Sequence, residues 1–172
     1  NLTHTTASTI DLLSGKILTY NGALLNVGNA SLTLIGGGTF TNTNPLVLND
    51  AGSTLNLNGA SGTVNSVSVN GADLVAGKIS ANQDHTITSL ALNNTANIEV
   101  ASSRTLTITN TVTVPATKNF NLSGDGELLT AGTLTINGTV VLSGNSILDC
   151  NSTVTIASGG ILNGGTGTLD LS

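Results

Sequence analysis

The stretch Thr133-Leu134-Thr135-Ile136-Asn137-Gly138-Thr139-Val140-Val141-Leu142-Ser143-Gly144-Asn145-Ser146-Ile147-Leu148-Asp149-Cys150-Asn151-Ser152-Thr153-Val154-Thr155-Ile156 decides the fold. It holds four apolar doublets: Leu134/Ile136, Val140/Leu142, Leu148/Cys150 and Val154/Ile156. Within each doublet one polar or aliphatic residue separates two apolar ones. Alternation with a period of two puts the doublet on one face of a short strand. Val154 follows Leu134 by 20 positions, so the fourth strand returns to the place of the first. Asn137-Gly138 and Gly144 supply corners between them, because Gly adopts positive φ without strain and Asn tolerates it.

The pattern extends outward through most of the chain. Further doublets are Leu55/Leu57, Val67/Val69, Leu90/Leu92, Ile98/Val100, Leu106/Ile108, Val112/Val114, Phe120/Leu122 and Leu169/Leu171. Leu148 to Leu169 and Val140 to Ile161 are intervals of 21; Leu90 to Val112, Ile98 to Phe120, Leu106 to Leu128 and Val112 to Leu134 are intervals of 22. Three short strands fit each interval. The expectation is an all-β fold, a right-handed three-faced parallel β-helix (β-solenoid) of about eight coils of 20–22 residues, forming one domain over residues 1–172. At a strand spacing of about 4.8 Å the rod would be about 40 Å long. Residues 1–8 are polar and read as an N-terminal arm. Antiparallel hairpins explain single Asn-Gly turns but not the three-strand interval.

Composition agrees with a narrow aliphatic core. Of 172 residues 38% are hydrophobic, yet only 2% are aromatic, and Thr, Asn and Gly number 28, 22 and 21. Phe40 and Phe120 read as core, and so does the single cysteine, Cys150. Gly36-Gly37-Gly38 reads as a crowded corner, and Pro45 and Pro115 flank strands where a missing amide is tolerated. Only 8% of residues are charged, and Lys16, Lys78, Arg104 and Lys118 are scattered, so no basic stripe is present for nucleic acid. No run of 18 apolar residues suits membrane insertion. With Asn at position 1 and no Met, the chain is expected to be a processed or excised segment, which fits secretion.

Chemistry-bearing residues are sparse. Asp149 and Asp170 fall one coil apart on the outer side, where two carboxylates could serve glycoside hydrolysis, hold a cation or simply repel. Asp125 and Glu127 flank Gly126 at a corner, Asp84-His85 reads as a surface loop, and His4 lies in the polar arm. None of these makes a metal-ligand set or a nucleophile-base pair, so no cofactor and no catalytic residue is assigned. Thr105, Thr107 and Thr109, with Thr111/Thr113, Thr133/Thr135 and Thr153/Thr155, suggest outward threonine ranks of an ice-binding type, interrupted at Glu127. Thr is also simply a good solvent-facing strand residue.

Residues 136–146, Ile-Asn-Gly-Thr-Val-Val-Leu-Ser-Gly-Asn-Ser, and 152–169, Ser-Thr-Val-Thr-Ile-Ala-Ser-Gly-Gly-Ile-Leu-Asn-Gly-Gly-Thr-Gly-Thr-Leu, resemble coils of large bacterial surface β-solenoids. The closest type is the filamentous haemagglutinin-like adhesin or autotransporter passenger, and the likeness in repeat style runs from Ser31 to Ser172. The resemblance implies an exported rod for adhesion, coating or assembly at the cell surface. The expected function is a non-enzymatic extracellular structural subunit, stacked head to tail with copies of itself into a filament or sheath. Leu169 and Leu171 on the end coil are the assembly residues. The alternatives are a stalk segment of a larger adhesin whose partners are cell-surface glycans, and a carbohydrate-active or ice-binding β-helix.

Overall fold

A computed structural model describes residues 2–22, 25–58, 62–69 and 78–172. They form 22 strands with no helix among them. The strands pair in parallel and stack into a β-solenoid of about seven turns. The eight-stranded sheet is visited first by Ser8–Asp11 and last by Ile161–Asn163, so about seven circuits separate its ends. Sheets of eleven and three strands complete the wall. Hairpin pairing is absent among the described residues.

The eleven-stranded sheet forks. Leu2–His4, Leu25–Val27 and Leu46–Leu48 stack on one branch, Ile17–Tyr20 and Thr39–Asn42 on the other. Both branches meet the eight-residue strand Gly62–Val69, which pairs in turn with His85–Leu92. Above it the first half continues through Thr105–Ile108, Glu127–Thr130, Ile147–Cys150 and Thr168–Asp170. The three-stranded sheet, Val112–Val114, Leu134–Ile136 and Val154–Ile156, begins against the second half. Leu2–His4 lies on this ladder, so the polar start of the chain contributes a strand.

The alternation read from the sequence fills the core. Leu55, Leu57, Ile79, Ile98, Leu106, Ile108, Leu122 and Leu148 are all fully buried, while Thr, Ser and Asn between them face out. Phe40 and Phe120 are 1% and 0% exposed. Phe120 sits in register with Ala96 below and Val140 above, so a small neighbour makes room for the ring. Corners are held by buried polar groups. Asn42 Nδ2 donates to Asn44 O and Ser66 O at 2.9 and 2.6 Å, and Ser66 N donates back to Asn42 Oδ1 at 3.1 Å. Ser53 Oγ donates to Val27 O at 2.7 Å and accepts from Asp50 N at 2.9 Å. At the triple-glycine corner, Gly36 has φ +84° and a Cβ there would lie 2.1 Å from Leu12 O.

Coil length varies more than the expected interval. Ala81 meets Val100 after 19 residues, whereas Ile98 meets Leu122 after 24. In the short coil the inward residues Ile87 and Leu90 are joined by Thr88 and Ser89 alone, within one continuous strand. In the long coil Thr109, Asn110 and Thr111 intervene between Ile108 and Val112, and Ser103 and Thr117 take left-handed φ values of 59° and 64° at other corners. Two expected registers therefore shift. Ile98 pairs with Leu122 and Phe120 with Ala96. Val140 pairs with Leu162, and Ile161 is displaced to the outer side, 54% exposed, because a one-residue slip reverses the facing. The intervals Leu134–Val154, Leu148–Leu169, Leu106–Leu128 and Val112–Leu134 hold.

Candidate functional site

Leu169 stands in register with Leu148 and is partly buried on the core, whereas Leu171 lies just past the strand and is 60% exposed. Ile156, in the last strand of the three-stranded sheet, continues the inward line of Ile136 and is 51% exposed. The other end is open in the same way. Leu18 continues the line of buried Phe40 but is 40% exposed. A hollow of about 380 Å³ opens there between Ile10, Leu18, Tyr20, Leu25, Leu32 and Phe40. Each terminal rung of the described solenoid thus presents aliphatic side chains together with the unpaired edges of its three end strands.

The outer carboxylates come together as the interval predicts. Asp149 and Asp170 are in register, and Asp149 follows Leu129 on the same rank, two residues along from Glu127. Partial burial raises the Glu127 pKa above its ordinary 4.5, and the neighbouring charge of Asp149, a hydrogen bond to Asp149 and the charge of Asp170 act in the same direction. Asp149 Oδ1 is buried and has no hydrogen-bond partner among the described residues. Asp125 is exposed and accepts from Asn145 Nδ2 at 3.0 Å, so it does not belong to this group.

A raised carboxyl pKa means that the folded chain holds its proton more tightly than the unfolded chain. The cost of holding a charged Glu127 partly buried beside Asp149 and Asp170 acts in full above the folded pKa, and stability is gained as pH falls through that value toward 4.5. Glu127→Gln is expected to raise the melting temperature at pH 7 and to flatten the gain on acidification. Thermal melts across that window check this, and a lower melting temperature for the variant at pH 7 would show that repulsion does not govern the site.

Other expected positions resolve simply. Asp84 and His85 do not share a surface loop. Asp84 is exposed and its Oδ1 accepts from Thr105 N at 3.0 Å, while His85 begins a strand in register with buried Leu106 and is only 6% exposed. Alternation sends the two side chains to opposite sides. Cys150 is buried, and burial pushes its thiol above 9.0, opposed by a hydrogen bond with Thr130 and reinforced by Asp149; little thiolate is available for chemistry. Lys78 pairs with Glu99 on the outer side, a partly exposed ion pair of small energetic weight. His4 contributes to a strand, Leu2–His4.

The threonine ranks extend further than the sequence suggested, and in the other direction. Thr107 is in register with Thr86, and Thr86 with Thr63. Thr39 precedes Phe40, which pairs with Val64, so Thr39 adjoins Thr63 in the same rank. Thr41, Asn65, Thr88 and Thr109 lie two residues along on a parallel rank. A smaller array on the three-stranded sheet places Thr113, Thr135 and Thr155 in register. The long rank was hidden in the sequence because its steps are 24, 23 and 21 residues.

No protein-family model, curated protein or solved structure matches the chain. What the structure shows is the solenoid stacking of parallel strands.

Proposed function

We propose that the chain is a non-enzymatic extracellular structural protein, a right-handed three-faced β-solenoid joined end to end with copies of itself into a surface filament or sheath. The observation that carries this reading is the pair of open terminal rungs, where Leu18 and Ile156 lie on core lines yet remain 40% and 51% exposed. Joining one rung to the other covers these side chains and continues the strand ladders. Such a contact is head to tail and does not close, so it propagates as a filament. Low charge, 8% of residues, leaves little repulsion between subunits. The same open rungs support a second reading, a stalk segment whose adjoining coils belong to a longer adhesin and whose glycan contacts lie elsewhere.

Electron microscopy before and after dilution separates the two. Filaments with an axial repeat of about 38 Å, eight stacked strands per subunit at about 4.8 Å, are expected for end stacking. Leu169→Lys with Leu171→Lys should stop growth while the circular dichroism of strands is retained. Wild-type chains that remain single short rods favour the stalk, and growth unaffected by the double substitution counts against the terminal contact.

A further inference from the structure

The side of the rod carries a feature that end stacking leaves unused. Thr39, Thr63, Thr86 and Thr107 form a continuous outward rank through four rungs, and the positions two residues along read Thr41, Asn65, Thr88 and Thr109. We infer that this threonine face binds the surface of ice.

Three observations support the assignment. The first is regularity. Parallel pairing repeats the rank at about 4.8 Å along the rod, and residues two apart on a strand repeat at about 6.7 Å across it. Each β-branched Thr has restricted χ1, and the side chains between the ranks, Phe40, Val64, Ile87 and Ile108, are at most 1% exposed. The hydroxyls and methyls therefore form a stiff two-dimensional net whose repeats are close to those between oxygens in hexagonal ice. Little ordering entropy remains to be lost when a water lattice settles on it.

The second is availability. None of these threonine hydroxyls makes a hydrogen bond with another described residue, so all are left to water. The eight-stranded sheet is a control within the same molecule. Its outward rank reads Thr33, Asn56, Ser80, Glu99 and Ser123. There Asn56 Nδ2 donates to Thr33 Oγ1 at 3.2 Å and Lys78 pairs with Glu99. A general preference for solvent-facing strand residues produces that mixed rank; it does not produce four consecutive threonines with free hydroxyls.

The third is charge complementarity. Ice is a neutral lattice, and an ion orients water around itself. The rank itself holds no charge from Ile17 through Thr39 to Leu129; Asp84 and Glu127 lie two residues to one side of it, and on the rank carboxylates enter at Asp149 and Asp170.

Freezing experiments on the purified chain test the inference. The wild type is expected to facet ice crystals and to open a gap between melting and growth temperatures. Thr86→Lys with Thr107→Lys should bring that gap to the buffer value, and Thr86→Val with Thr107→Val, which preserves strand propensity and removes only hydroxyls, should narrow it. Ser123→Lys on the eight-stranded sheet and Thr135→Lys on the smaller array should leave it unchanged, with strand circular dichroism reporting folding throughout. A wild type that gives round crystals and no gap overturns the inference, as does a Val pair with the full gap. Loss confined to Thr135→Lys overturns the assignment to this face.

Discussion

Replacing Phe120 by alanine is expected to lower the unfolding free energy by about 3–5 kcal/mol. The ring is fully buried, and the space it fills has been set aside for it by Ala96 on the rung below. Its neighbours cannot move in to fill the gap. Asn119–Gly124 is fixed by parallel pairing to Ala96–Val100 on one side and to Thr139–Leu142 on the other, so collapse requires breaking two ladders. Much of the cavity therefore persists, and its cost adds to the lost transfer free energy. Denaturant melts of the variant against wild type measure this directly. Ile98→Val, which removes one buried methylene on the adjacent line, should cost about 0.5–1.5 kcal/mol. A Phe120→Ala cost as small as that would mean that the rungs relax inward, and the picture of a rigid wall would need revision.

Gly124→Ala is the second large effect. Gly124 has φ +94°, and an added Cβ would lie 2.1 Å from Val100 O. That carbonyl is held in place, since it also accepts from Gly126 N at 3.1 Å. The substitution combines an unfavourable backbone conformation with a clash against backbone that other bonds fix. Gly15 isolates the first component, with φ +71° and nothing within 4 Å of a Cβ added there. Gly15→Ala should cost about 1–2 kcal/mol for the left-handed conformation alone. Gly124→Ala should exceed it clearly and approach the loss of a large core side chain. Denaturant melts of both variants make the comparison, and equal effects at the two sites would show that the wall at Val100 yields.

Parallel coils were legible in the sequence because inward residues repeat at nearly constant intervals, and the pairs Leu106–Leu128 and Leu148–Leu169 stand where the spacing put them. Register at Ile161 was not, since Ile161-Leu162 offers two adjacent apolar residues and only one can face inward. His85 was misplaced for a related reason: its polarity suggested a loop, but the period of its strand, with Ile87 two residues on, turns it toward the core. The Asp149–Asp170 neighbours were visible from spacing alone. Glu127 joins them through a diagonal contact that no fixed interval announces. The long threonine rank was concealed because coils of unequal length carry it, so it emerges only when each corner is counted.

The register between neighbouring rungs has a consequence for how such a chain changes over generations. Ala96 lies against Phe120 and Asn97 against Asn121. Excising residues 97–120 would therefore join Ala96 to Asn121, the residue that stands one rung above the one removed, and the neighbours on both sides would meet as before. Loss or tandem duplication of a DNA segment encoding one whole coil changes the length of the rod in steps of one rung, whereas loss of a single codon inside a strand reverses the facing of the residues between the break and the next corner. Length is then a freely adjustable character of this architecture, and selection can act on reach separately from stability.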